Sequence, residues 1–389
     1  METEQLYYID SYKKDVDATV IALSKKGVIL DRTIAYPEGG GQSGDRGLLN
    51  ETPFTDTIKE CDEIVHMTDP SLFSVGDKVH LTLDWTHRYA YMQQHTAQHM
   101  LSGLMYTLEG IGTLSVHQGE DILTIETDRS YIDEDTLLFI EDSANRAINE
   151  NHRVSYLLVS HQEAEKMNLR RTIKVSGDVR LVKIEGVDII ACGGVHVSHT
   201  GEVGLINYVS SESIRGHVRT LWRCASRATR ARRECERAVK ETGAVLSANV
   251  TTLKDKASAL IEENKNLAYK LRECERENAS YLLKNAKIEG VHILTSNLPL
   301  SAFQELFEEN DRFFITSKAS GHLEWLLYAD EETFAAFKSY FKELSIKGGG
   351  RGHLFKGSML EDRYNEILKI VEDIINERRG ERERRRCSS

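Results

Sequence analysis

Residues 86–109 read THRYAYMQQHTAQHMLSGLMYTLE, and the fold turns on them. Upstream the chain has the short alternations of strands. From Thr86 it takes the period of a helix, with Asp84 or Thr86 as N-cap and Gly110 as the stop. His95 and His99 lie four apart, so both imidazoles project from one face of that helix. Further on, after strands expected at Val179–Ile184 and Val187–Ala191, comes Cys192-Gly193-Gly194-Val195-His196, again with ligand-type residues four apart, in a glycine turn that can fold tightly round an ion. Three imidazoles and one thiolate form a donor set that zinc prefers. The competing reading is a buried cysteine beside unrelated surface histidines; His66, His80 and His152 show no such pairing and read as ordinary. Four protein ligands usually mark a structural zinc, whereas a catalytic one keeps a position open. The ion then expands its coordination, holds one ligand loosely or mainly positions substrate, and sequence leaves these open.

Outward from the helix, residues 1–85 read as β. Val20–Leu23 and Val28–Leu30 flank the turn Ser24–Gly27, and Thr33–Tyr36 runs into the loop Pro37 to Asp45. Lys78–Trp85 alternates with Val79, Leu81 and Leu83 on one face, and short strands with glycine turns predict a small β-barrel. Residues 86–222 read as α+β: a strand at Ile122–Glu126, a helix near Asp133–Asn149 and a strand at Val154–Val159 follow the first helix. Residues 223–286 contain almost no glycine and no proline, and Leu246, Leu253, Leu260 and Leu267 recur every seven positions. Gly243, Val250, Ala257, Asn264 and Leu271 form the companion row, so a coiled coil, a helical hairpin or a long helix packed on its own chain is expected. Residues 287–389 begin with a strand at Val291–Leu294, pass Lys347-Gly348-Gly349-Gly350-Arg351-Gly352-His353 and end with a helix near Leu360–Ile375 and a basic tail, as a small separate α/β domain.

The 389 residues exceed what one core organises. A net charge of −11 argues against wholesale coating of nucleic acid, yet arginines cluster between Arg215 and Arg237 and again from Arg378 to Arg386. The six cysteines form no CxxC pair, and neither a secretory leader nor an apolar run long enough to span a bilayer is visible, so reduced thiols in the cytoplasm are expected.

Three blocks in order, Gly39-Gly40-Gly41-Gln42-Ser43-Gly44-Asp45, His95-Thr96-Ala97-Gln98-His99 and Cys192-Gly193-Gly194-Val195-His196, closely resemble the editing region of alanyl-tRNA synthetase and its free-standing relatives, the long AlaX proteins. The resemblance covers essentially the whole chain. It implies a β-barrel over 1–85, a zinc-bearing editing domain over 86–222, a helical spacer over 223–286 and, over 287–389, the glycine-rich module also found in DHH phosphoesterases. It further implies one zinc per chain on His95, His99, Cys192 and His196, and hydrolysis of serine or glycine wrongly attached to alanine tRNA. Gln42, with Gly40 and Gly41, becomes a candidate for contacting the aminoacylated terminus, as does His117 in Val116-His117-Gln118-Gly119. A tight turn without ligand role and an exposed strand histidine are their ordinary readings. Arg351, Gly349 and Gly350 are candidates for touching the tRNA, and the helical spacer for pairing two chains. Two departures, Val195 where threonine is common and Gln98 where threonine is frequent, leave every ligand in place and bear on substrate preference.

Other classes fare worse. No Asp-His-His triplet occurs, which counts against a DHH phosphoesterase, and the length leaves no room upstream for an aminoacylation domain. A threonyl-tRNA editing domain would lack the long C-terminal arrangement. The main alternative is a non-enzymatic tRNA-binding or dimerisation protein with a structural zinc.

Overall fold

The computed structural model describes residues 2–167, 169–173, 177–286, 292–308, 311–319 and 322–374. It divides into two compact units, Met1–Glu241 and Thr242–Ser389.

The first unit opens with a seven-stranded sheet in the order Thr52–Phe54, Gly47–Leu49, Lys78–Leu83, Asp15–Leu23, Gly27–Leu30, Glu63–Met67, Thr57–Glu60. The long strand Asp15–Leu23 serves two neighbours. Its residues Asp15–Thr19 pair with Lys78–Leu83, and beyond Val20 it pairs with Gly27–Leu30, with a bulge between Val20 and Ala22 that bends it. The expected barrel does not close: among the described residues no ladder joins Thr52–Phe54 to Thr57–Glu60. The link between these edges instead bonds sideways, with Thr55 N–H donating to Met67 O and Asp56 O accepting from Met67 N–H. Val79, Leu81 and Leu83 face inward as the alternation predicts, packing with Val20, Leu30 and Phe54. Arg88, fully buried, ties this sheet to the helix beyond it, donating to the carboxylate of Asp45 and to the carbonyls of Ser11 and Ile34.

The helix Trp85–Glu109 starts on Asp84, whose carboxylate accepts from His87 N–H, and stops at the left-handed Gly110. Its Met92, Ala97, Met100, Leu101 and Met105 pack on Leu137, Ile140 and Ala144 of helix Glu134–Glu150 and on Ile125 and Trp222 of a four-stranded antiparallel sheet. That sheet runs Thr113–Gln118, Leu123–Thr127, His217–Cys224, Ile206–Ile214. A three-stranded antiparallel sheet, Val154–Val159, Val179–Ile184, Asp188–Ala191, stands beside the metal-type residues.

The heptad region is two helices, Ser226–Leu246 and Leu253–Asn285. The break falls at Ser247, with φ of 50°, where Ala248 N–H closes back on Gly243 O. Leu246 is therefore parted from the rest of its row. On the second helix Leu260, Leu267 and Leu271 are exposed, while Ala279 and Leu283 near its end are buried against Leu300 and Phe303.

The second unit holds a five-stranded sheet ordered His292–Ser296, Phe313–Ala319, His322–Tyr328, Leu354–Met359, Lys347–Arg351, with the first pair parallel and the rest antiparallel. Phe314, Trp325, Phe337 and Phe355 fill its core against helix Glu331–Lys338 and the helix 364–374. The glycine run lies on an edge strand, Lys347–Arg351. Its backbone pairs with Leu354–Met359, and Gly348 passes so near Trp325 that a Cβ there would lie 2.5 Å from Cζ2. Residue 291 of the expected first strand and the basic tail from Arg378 lie outside the described residues.

Candidate metal centre

The helix delivers two imidazoles, and the turn after strand Asp188–Ala191 delivers the thiolate and the third. The ligand atoms of His95, His99, Cys192 and His196 all lie within 4.8 Å of one another. Cys192 Sγ is 3.5 Å from both His95 Nε2 and His196 Nε2. Gly194 is required by this approach, because a Cβ there would sit 2.1 Å from His95 Cε1.

Two of the three rings are held by their other nitrogen. His95 Nδ1–H donates to Gln42 Oε1 at 2.7 Å. His196 Nδ1 lies 3.2 Å from Thr96 Oγ1, whose own hydroxyl donates to Met92 O, so the ring nitrogen is the donor. His99 Nδ1 has no hydrogen-bond partner and lies 3.6 Å from Asp188 Oδ2. That carboxylate is gripped by Arg170 through Nε at 2.8 Å and Nη2 at 3.0 Å. The proton on Nδ1 leaves the Nε2 lone pairs of His95 and His196 facing Cys192, the arrangement by which outer hydrogen bonds aim imidazoles at a metal.

Burial sets the protonation. It pushes His95 down to about 3, with the Arg180 cation adding to the effect, and carries His99 and His196 well below the ordinary histidine range. All three are neutral at neutral pH, the form in which imidazole can bind a metal. Burial also raises the Cys192 thiol, against the pull of Gly194 N–H and Arg180. A divalent cation is the species that reverses this last effect, since a coordinated thiol is deprotonated. A neutral-imidazole and thiolate set with no carboxylate among its four members fits zinc.

The loop that presents Gln42 is built on Gly40 and Gly41, with φ of 61° and 86°, which side chains rarely adopt. A bridge between Gly39 and Gln42 closes it, and Gly41 O accepts from Gln118 N–H at 3.1 Å. Gln42 is 1% exposed, and its Nε2 has no hydrogen-bond partner. His117 stands exposed on strand Thr113–Gln118, on the face opposite Val116 and Gln118. Arg351, Gly349 and Gly350 are exposed along the edge strand of the second unit. Val195 is buried in the core, and the Gln98 amide donates to Ser102 Oγ.

Sequence reading missed the supports. Arg180 Nη1 donates to Cys192 O at 2.6 Å and Gly194 O at 3.0 Å, and the Tyr156 hydroxyl contacts both N–H and O of His196. Asp188 carried one signal, a lone acid inside an otherwise apolar strand. Arg170 and Arg180 carried none, because their partners are backbone or lie across the fold.

A family profile described as "Threonyl and Alanyl tRNA synthetase second additional domain" matches residues 179–219, and one described as "tRNA synthetases class II (A)" matches residues 3–87. The chain is 30% identical to the alanyl-tRNA editing protein AlaX-L of Pyrococcus horikoshii over 95% of this chain and 97% of the relative. It is 37% identical to the alanyl-tRNA editing protein AlaX-M of Methanosarcina mazei over 52% of this chain and 88% of that protein. The alanine–tRNA ligase of Ignicoccus hospitalis matches at 30% identity over 90% of this chain, which spans 40% of that enzyme.

Proposed function

The chain belongs to the AlaX family of alanyl-tRNA editing proteins, and from that premise we propose that it hydrolyses the ester joining a wrong amino acid, serine or glycine, to alanine tRNA. The observation that carries this is the convergence of His95, His99, Cys192 and His196 within 4.8 Å beside the buried, half-paired Gln42. Zinc held there would polarise the ester carbonyl or lower the pKa of a water. Gln42 does two things in this reading. Its Oε1 keeps His95 in the tautomer that binds metal, and its Nε2–H, without a protein partner, is a donor for the aminoacyl group. Tyr156 and Arg180 hold the backbone of the ligand turn. The selectivity has a physical basis: a synthetic site shaped for alanine cannot strongly reject an added hydroxyl or a missing methyl, whereas a second site can read the hydroxyl by hydrogen bonds.

The remaining parts of the reading concern reach and address. The helices over 223–286 act as the spacer, and the exposed Leu260, Leu267 and Leu271 as the seam of a homodimer. The 287–389 region, with Arg351 and the exposed backbone of Gly349 and Gly350, acts as the glycine-rich module that contacts the tRNA. The site of action is the cytoplasm; among the described residues no helix is long and apolar enough to cross a membrane.

One observation favours a second reading, a tRNA-binding protein with a structural zinc: four protein ligands fill a tetrahedral shell. Deacylation of Ser-, Gly- and Ala-charged alanine tRNA, with and without a chelator, separates the two. Chelator-sensitive release of serine or glycine, with Ala-tRNA spared, supports the hydrolase. Full metal content without release supports the binding protein.

A further inference from the structure

The arginine cluster between Arg215 and Arg237 is only partly used by the fold. On helix Ser226–Leu246 the buried Arg227 is structural, donating to Ala90 O and Glu120 O. Arg230, Arg233, Arg237 and Lys240 follow at steps of three and four residues, which sets them on one face. They form an exposed row about 15 Å long, on the side away from the buried Ala228. Arg230 has a carboxylate partner, Asp121 at 2.6 Å, but both side chains are more than half exposed, so water screens the pair. Among the described residues Arg233, Arg237 and Lys240 have no ion pair, and the neighbouring Glu236 is taken by Arg232. Glu234 and Glu241 flank the row without pairing to it. The row also starts beside the metal centre. The turn between strands Thr113–Gln118 and Leu123–Thr127 carries Glu120 and Asp121, the partners of Arg227 and Arg230. Gly119 O of the same turn accepts from Gln94 Nε2 at 3.2 Å, one residue before His95, and Gln118 N–H donates to Gly41 O, next to Gln42.

A straight row of unpaired cations on a chain with net charge −11 is a local feature of the charge distribution, not its average. Its complement is a polyanion whose charges are regularly spaced along a line, and a nucleic-acid duplex is such a partner. Arginine suits it further, because the guanidinium fork meets phosphate oxygens in pairs. We propose that Arg230, Arg233, Arg237 and Lys240 grip the phosphate backbone of the tRNA acceptor stem. The stem then lies along the helix while its end reaches past the Gly119–Asp121 turn towards the metal centre. Contacts to phosphate position an RNA without reading its sequence, so the row supplies affinity and register and leaves the choice of tRNA to other parts of the chain. The inference rests on the reading of tRNA as partner, but its test involves no hydrolysis.

The probe is an uncharged, blunt-ended acceptor-stem hairpin without the single-stranded 3′ end, so neither the ester nor the terminal nucleotides enter. The full chain is titrated with it by fluorescence anisotropy between about 50 and 200 mM salt. Arg233→Gln/Arg237→Gln should weaken binding roughly tenfold and lower the slope of log affinity against log salt by about two, one for each lost phosphate contact. Arg233→Lys/Arg237→Lys, which keeps both charges, should keep the slope. Lys25→Gln/Lys183→Gln makes the same change of net charge at exposed positions on other elements of the first unit and should leave affinity and slope near wild type. Zinc content and melting temperature, unchanged in all three, show that the fold is intact. A wild type that does not bind the stem, or an unchanged slope in Arg233→Gln/Arg237→Gln, overturns the proposal, as does an equal loss in Lys25→Gln/Lys183→Gln. A wild type that binds the stem through the row yet deacylates nothing keeps the row and removes the hydrolase reading.

Discussion

Cys192 is a half-buried thiol whose proton is held by its surroundings, beside three histidines that have lost theirs. Zinc entering this set displaces the thiol proton, so apparent affinity should rise about tenfold per pH unit below the thiol pKa. Calorimetry in buffers of different ionisation enthalpy should find about one proton released per zinc bound. Cys192→Ala and His95→Ala should each lower zinc content and deacylation together; full occupancy in a Cys192→Ala/His196→Ala double variant would remove the ligand assignment. Gln42 is subtler. The glycine block marks it for the substrate, but its direct bond to His95 Nδ1 means that Gln42→Ala should also weaken zinc by about 10- to 100-fold. Gln42→Glu separates the roles, because a carboxylate still accepts from His95 but offers no amide N–H. It should keep zinc and lose at least roughly tenfold in deacylation, about 1.4 kcal/mol of transition-state stabilisation. Undiminished deacylation by that variant would leave the loop as a turn alone.

At the scale of elements, the strand Asp188–Ala191 matters for its one charge. Asp188 and Arg170 have side chains only 2% and 6% exposed, so each is costly without the other. Arg170→Met should destabilise the fold by about 3–5 kcal/mol, and adding Asp188→Asn should restore much of it, as urea melts of the pair will show. Periodicity made the elements themselves readable. Asp84 and Gly110 bracket the first helix because a cap and a left-handed stop are local chemistry, and strands Val154–Val159 and Val179–Ile184 stand where alternation put them. Barrel closure was not readable. Whether two edge strands meet depends on the bend in Asp15–Leu23 and on a linker that bonds to Met67, and neither alters the alternation pattern.

For the whole molecule, the boundary at Glu241 alters where the chain can be cut. Arg227, buried, donates to Ala90 O and Glu120 O, so a fragment ending near Arg223 would strip the first unit of that support. A fragment ending at Glu241 should keep zinc, deacylate minihelices slowly and lose preference for alanine tRNA; undiminished selectivity would place recognition in the first unit. The pH dependence of stability has an identifiable source away from the metal. His66 is buried, donates Nδ1–H to Val28 O and accepts from Thr33 Oγ1, and burial lowers its pKa to about 4. Below about pH 6.5 the unfolded chain takes up a proton that the folded one refuses. Stability should therefore fall by up to about 1.4 kcal/mol per pH unit between roughly pH 6.5 and 4, and be unaffected by this group above that window. Urea melts at pH 7 and pH 5 should show a smaller difference in His66→Gln than in the wild type.

What sequence alone determined is whatever short-range chemistry writes into spacing: the four-residue steps of the ligand pairs, the caps, the alternation of core strands and the leucine row. These follow from helix and strand periods and need no partner. Tertiary structure decided the rest. It brought the two ligand pairs together, set the Asp188–Arg170 pair beside His99, folded the glycine run at 348–350 into an edge strand, and broke the leucine row at Ser247. Each of these depends on groups far apart in the chain, and a pairing between distant residues leaves no periodic trace in either segment.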